Sequence, residues 1–216
     1  MNKTKIEWCD YTWNPVTGCK HGCPYCYAER ISKRFTGDFE PKFHEKRLLE
    51  PVKIKKPSRV FVVSMGDLFG EWVPDEWISE VMKACKQAPW HTYIFLSKNP
   101  KKYDNWVGPT DAWYGATVNN SADFIPPCRA SDLFRTGIHN RFLSIEPLLG
   151  EIQGIALQNL TLFKWVIVGA QTGPGAVKPK TEWVQSIVNK CKEDRVPLFL
   201  KDNLGWHEEI KEFPNA

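Results

Sequence analysis

No apolar run in this 216-residue chain is long enough to cross a bilayer, since stretches such as VFVV and WVIV stop after four residues. The opening MNKTKIEWCDYTW lacks the apolar core of a signal peptide, so the expected compartment is the cytoplasm. No linker composition or low-complexity tract divides the sequence. With 42% hydrophobic and 25% charged residues, one domain over residues 1–216 with a sizeable core is expected. Also missing is the second Cys pair, or Cys pair plus His pair, that completes zinc ribbons and fingers. The cysteines number seven, an odd count with three crowded together, which argues against a secreted disulfide framework and for a reducing compartment.

Those three are Cys19, Cys23 and Cys26, spaced CxxxCxxC in GCKHGCPYCYAER. A closed structural site takes four protein ligands, whereas three thiolates leave one position to a distant residue, a substrate or a cofactor. A mixed zinc set that adds His21 or Cys9 stays open on spacing alone. The other cysteines read differently. Cys85 follows Trp77, Ile78, Val81 and Met82 at helical spacing, and Cys191 follows Trp183, Val184, Ile187 and Val188, so both belong to buried helix stripes. Cys9 and Cys128 fit no such pattern.

Charge is uneven. The chain carries +4 overall, yet between Lys42 and Arg59 seven cations face only Glu45 and Glu50, a local +5 that suits phosphate or a solvated connection. Ten tryptophans are expected mostly in the core, with some able to stack on a base.

Short apolar runs alternate with helical patterns, the mark of βα units and a parallel sheet. Strands are expected at 11–15, 59–64, 91–97, 112–118, 140–146, 163–170 and 196–202. Helices are expected from Tyr27, from Pro74 and Asp75, in KKYDNW, between Ser121 and Arg135, and from a capping Thr181 to near Asp194. The strands are almost continuously apolar, as in a sheet covered on both faces. Six or seven units are too few for a closed eight-unit barrel, so the expected fold class is α/β, a partial (β/α)6-type TIM barrel with helices outside. A doubly wound open sheet is the alternative. Functional groups gather at the carboxyl ends of such strands. The polar groups found there are Ser64, Gly66 and Asp67; Lys98; Thr117 and Asn119; Ser144 and Glu146; Gly169 and Gln171; and Lys201.

The cysteine loop, with aromatic Tyr25 before its third cysteine, resembles that of the radical S-adenosylmethionine (radical SAM) superfamily. TWNPVTGC before it, CYAER after it, and SMGDLF, LSKNP, LSIEPLLG and WVIVGAQTG downstream resemble a small phage- and bacteria-associated radical SAM-like family over residues 7–203. The resemblance implies an enzyme in which Cys19, Cys23 and Cys26 bind three irons of a [4Fe-4S] cluster and the fourth iron chelates S-adenosyl-L-methionine. Reductive cleavage would give a 5′-deoxyadenosyl radical that takes hydrogen from a substrate. It implies a cofactor site that includes Tyr25, Ser64 and Gly66, with Asp67 accepting the cofactor's ammonium. Thr117 and Asn119 would lie at the ribose, with Ser144 and Glu146 beside them, and Gly169 and Gln171 near the adenine. Lys98 would take the cofactor carboxylate, and Lys201 a substrate group. An internal ion pair between Glu146 and Lys98 or Lys201 is the competing reading. A flavodoxin- or ferredoxin-type reductant is the implied partner. The basic segment and the phage association point to a nucleic-acid base or nucleotide as substrate. The alternative is a zinc- or cluster-binding nucleic-acid module without radical chemistry.

Overall fold

A computed structural model describes residues 1–106, 108–125 and 128–214. Among these residues an eight-stranded sheet runs in the order β1 (Asn2–Lys3), β2 (Tyr11–Trp13), β5 (Arg59–Val62), β6 (Thr92–Ser97), β7 (Trp113–Val118), β8 (Arg141–Ile145), β9 (Val166–Val168) and β10 (Leu198–Leu200). A separate two-stranded ribbon joins β3 (Val16–Thr17) to β4 (Lys42–Phe43). Each expected strand is present, shortened at its ends. From β2 to β10 the order follows the chain without the reversal that a doubly wound sheet contains, so that alternative is set aside. The fold is α/β with a mostly parallel sheet, and β1 is its antiparallel edge.

The chain divides within β7 into two compact units, Met1–Tyr114 and Gly115–Ala216. In the first, parallel pairing aligns Trp13 with Val62 and Val62 with Phe95. The segments that follow, Asn14, Val63–Asp67 and Ser97–Lys98, therefore share one rim. Its core is aromatic: Trp13 lies 6.2 Å from Tyr93, and Phe69 meets Tyr103 edge-on at 4.5 Å. The helix α1 (Tyr27–Thr36) buries only Ala28, and the single turn α2 (Glu50–Lys53) buries Pro51. By contrast α3 (Asp75–Gln87) buries Ile78, Val81, Met82, Ala84 and Cys85, the stripe that its spacing predicts. A 3-10 helix at Pro100–Asn105 takes the place of the short helix expected there.

In the second unit the register aligns Ile145 with Val168 and Val168 with Leu200, so Glu146, Gly169 and Lys201 follow at one level. The helical span 121–135 resolves into a 3-10 turn at Ser121–Phe124 and α4 (Arg129–Arg135), with positions 126 and 127 outside the described residues. A single turn, α5 (Ile155–Gln158), follows β8, and α6 (Thr181–Asp194) buries Val184, Ile187 and Cys191. Lys180, not Thr181, is the N-cap of α6, and no side chain caps it; Thr181 is the first helical residue. Trp165 packs on Phe142 at 5.4 Å. No helix among the described residues is long and apolar enough to cross a membrane.

Candidate functional site

The cysteine loop connects β3 to α1, and the close approach of two glycines sets where it begins. Gly18 N–H donates to the Met65 carbonyl at 2.9 Å, and Gly18 forms an isolated parallel bridge with Gly66. A methyl on Gly66 would lie 2.6 Å from the Gly18 oxygen, and one on Gly18 would lie 2.2 Å from the Glu40 oxygen. Gly18 also sits at φ 90°, a backbone that side chains resist. The Met65–Asp67 turn is shaped by Val63, a buried β-branched residue at φ 60°. Such a residue is a genuine outlier, strained by about 1–3 kcal/mol and held by its surroundings. The holding contacts are visible: Val63 N–H donates to the Trp13 carbonyl at 2.7 Å, and Asn14 Oδ1 accepts from Met65 N–H at 2.9 Å and from Ser64 Oγ at 3.2 Å.

The three thiols are half-buried. Burial pushes the Cys19 thiol up to about 12, opposed by a hydrogen bond from the His21 N–H and reinforced by the negative charge of Asp67, Cys23 and Cys26. Cys26 is likewise raised by burial, with the Glu29 and Ala28 N–H groups opposing and Cys23 adding to the rise. The charge of Cys23 thus disfavours ionisation of both Cys19 and Cys26. Cys26 is also the N-cap of α1, its Sγ accepting from Glu29 N–H at 3.3 Å. One residue on, Tyr27 Oη donates to the Ser64 carbonyl at 2.6 Å and ties the helix start to the rim. Among the described residues, no group of three or more His, Cys, Asp or Glu side chains is arranged to hold a metal ion.

Asp67 is 4% exposed. Its Oδ2 accepts from Ser97 Oγ at 3.0 Å and Lys98 N–H at 2.9 Å and lies 2.8 Å from His21 Nε2, while Oδ1 accepts from Phe69 N–H at 3.0 Å. Burial raises its pKa, but the His21, Lys98 and Ser97 hydrogen bonds outweigh burial and hold the carboxyl below its ordinary value. Lys98 Nζ lies 5.5 Å from the centre of the Tyr25 ring, so two residues expected at a cofactor meet as a cation–π pair.

In the second unit two of the expected residues bond to each other, while others bond elsewhere. Lys201 Nζ donates to Glu146 Oε1, the internal ion pair held open as an alternative. Gly169 lies beneath that carboxylate, where a methyl would come within 2.9 Å of Glu146 Cδ. Asn119 is 6% exposed, donating Nδ2–H to the Pro147 carbonyl at 2.8 Å and its N–H to Asp123 Oδ2 at 2.7 Å. Thr117, also buried, lends its carbonyl to Arg129 at 3.0 Å, and Ser144 is 1% exposed. Gln171 Oε1 accepts from Val177 N–H at 3.5 Å.

Several structural contributors have no role that their local sequence predicts. Asn14 and Tyr27 lie inside TWNPVTGC and CYAER, yet only the folded chain shows that they grip the segment after β5. Asn203 clasps Ala170 by accepting from its N–H at 3.0 Å and donating to its carbonyl at 2.9 Å. The basic segment is largely spoken for. Lys42 pairs with Asp38, Arg59 with Asp10, Arg47 donates to the Asn14 carbonyl and Lys55 lies over Trp90. Of the ambiguous cysteines, both buried, Cys9 Sγ faces the Ile6 carbonyl, whereas Cys128 caps α4 by accepting from Ser131 N–H at 3.4 Å.

A family model described as "Protein of unknown function (DUF5131)" matches residues 3–214. No curated protein sequence matches the chain. Among solved structures, spore photoproduct lyase complexed with dinucleoside spore photoproduct is similar at 11% identity and TM-score 0.62, covering 92% of this chain and 78% of that one. A mutant of the lyase with the same dinucleoside gives TM-score 0.65 at 11% identity over the same shares of the two chains. Another mutant, with bound AdoMet and dinucleoside spore photoproduct, gives TM-score 0.54 at 12% identity, covering 89% of this chain and 63% of that one. At such identities the likeness is one of fold.

Proposed function

The chain belongs to the DUF5131 family, and from its fold and its cysteine loop we propose that it is a radical SAM enzyme acting on a nucleic-acid base or nucleotide. The observation that carries the reading is the position of CxxxCxxC between the first strand of the parallel sheet and α1, in a fold shared with spore photoproduct lyase. The substrate class is proposed from the dinucleoside and AdoMet named with those lyase structures.

The chemistry of the donors, three thiols on one loop, suits a [4Fe-4S] cluster, for which their side chains would have to converge. The charge of Cys23 raises the pKa of both Cys19 and Cys26, so a cationic group would relieve that repulsion. When bound, that cluster supplies the electron for reductive cleavage of S-adenosyl-L-methionine. Cys19, Cys23 and Cys26 would be its ligands. The His21 N–H favours the charged form of Cys19, and the Glu29 and Ala28 N–H groups that of Cys26. Lys98, held at its N–H by Asp67 and set against Tyr25, would receive the cofactor carboxylate. Asp67 is the proposed acceptor for the cofactor ammonium. Ser64 and Gly66 would contribute through the turn that they form. In the second unit Thr117, Asn119, Ser144, Glu146, Gly169 and Gln171 are proposed cofactor contacts, and Lys201 a substrate contact once freed from Glu146. A flavodoxin- or ferredoxin-type protein would supply electrons.

Oxygen-free purification followed by metal and sulfide analysis tests this reading. The proposal expects about four irons and four sulfides per chain. Single Cys19→Ala, Cys23→Ala or Cys26→Ala variants should lose most of the iron. Stoichiometric zinc without iron after oxygen-free handling would contradict it.

A further inference from the structure

The cysteine loop is fastened at its ends by the main chain. Cys19 N–H donates to the Phe39 carbonyl at 3.1 Å, and at the far end Cys26 N–H donates to the Cys23 carbonyl at 3.0 Å. Between them His21 reaches away from the loop, its Nε2 2.8 Å from Asp67 Oδ2 and its ring edge-on to Trp72 at 4.8 Å. Trp72 is itself placed by Gly70, where a methyl would strike the indole at 2.4 Å. Asp67 is anchored independently by Phe69, Ser97 and Lys98, so it is a fixed post rather than a partner that drifts with the loop.

We propose that His21 is a positioning residue that fastens the Cys19–Cys23 half of the loop to Asp67, fixing the arrangement of the thiols before any cofactor is present. Gly22, at φ 64° beside it, and Pro24 are exposed, and Lys20 pairs with Glu40 at 2.9 Å only at the solvent-exposed surface, where ion pairs contribute little. A side-chain hydrogen bond to a buried carboxylate is therefore the strongest tie available to this half. What the thiols hold rests on the radical SAM reading; the tether does not.

The rival role for His21 is a metal ligand whose second nitrogen is oriented by Asp67, an arrangement common around zinc. Two substitutions separate the roles. Gln places an N–H donor the same number of bonds from its Cα as His Nε2, so His21→Gln keeps the tie to Asp67 but supplies no imidazole. His21→Leu removes both.

The first measurement is amide hydrogen exchange over Cys19–Cys26 in the full, metal-free chain. The tether predicts about tenfold faster exchange in His21→Leu and a rate within about twofold of the parent in His21→Gln. The second measurement is chelator-driven iron release, with the electron paramagnetic resonance spectrum of the reduced, iron-loaded chain. Release should be about tenfold faster and the spectrum broadened in His21→Leu, with both restored in His21→Gln. Parent-like exchange in His21→Leu, or a His21→Gln that behaves as His21→Leu does, would overturn the proposal. A parent chain that takes up no iron would defeat the radical SAM reading alone, because the exchange measurement judges the tether without metal.

Discussion

Gly18 and Gly66 show how single residues decide where the thiols stand. Main chain meets main chain there without room for a methyl, and the loop enters the rim through that contact. Gly66→Ala should destabilise the metal-free chain by about 1–3 kcal/mol, since an added methyl in a filled space forces the backbone to shift. Gly18→Ala should cost more, because strain at φ 90° adds to the clash with Glu40. Denaturant titration of both variants checks the order. His44 gives a second residue-scale test. It lies 2.8 Å from Thr17 Oγ1, and burial, with Arg47 and Lys42 adding, holds its pKa below the ordinary histidine value. A lowered folded-state pKa means that its contribution is complete above the ordinary value of about 6.5 and is lost as the pH falls through it. Folding stability should therefore drop as the pH is lowered below about 6.5, and His44→Gln should flatten that part of the curve. An unchanged slope in the variant would remove His44 from the account.

At the scale of elements, α1 couples the loop to the fold through its first turn. Cys26 caps it through Sγ, so one side chain serves both the helix and the proposed ligand set. These duties separate by substitution. Cys26→Ser should keep the stability of the metal-free chain, because a hydroxyl caps well, whereas Cys26→Ala should lose about 1 kcal/mol. Both should fail to retain iron. Thermal melts of the metal-free variants, with iron analysis, test the pair. The strands and α3 were legible because continuous apolar runs and a 3.6-residue stripe are local signals. The β3–β4 ribbon and β1 were not, since two-residue strands carry no period and are set by partners far along the chain. The cap of α6 was misread because Thr181 is a favoured capping type, yet backbone geometry puts Lys180 at that position. Among candidate site residues, strand-end placement was legible for Asp67, Lys98, Glu146 and Lys201. Their bonding was not, since the His21–Asp67 and Glu146–Lys201 contacts join residues 46 and 55 positions apart.

At the scale of the molecule, strands that follow one another in chain order carry polar groups to their carboxyl ends, which is how a parallel α/β fold gathers chemistry from distant sequence. The match to spore photoproduct lyase extends over 92% of the chain, so the likeness belongs to the fold and not to an isolated motif. The thiols and their immediate supports lie within the first unit, Met1–Tyr114. The radical SAM proposal makes one demand on chemistry: the iron-loaded chain, given electrons, should cleave S-adenosyl-L-methionine. The direct measurement is chromatographic detection of 5′-deoxyadenosine and methionine after the iron-loaded, oxygen-free protein is mixed with S-adenosyl-L-methionine and dithionite. The account predicts both products from the parent chain and neither above background from Cys19→Ala, Cys23→Ala or Cys26→Ala. A fully iron-loaded parent chain that forms no more 5′-deoxyadenosine than these variants would contradict it.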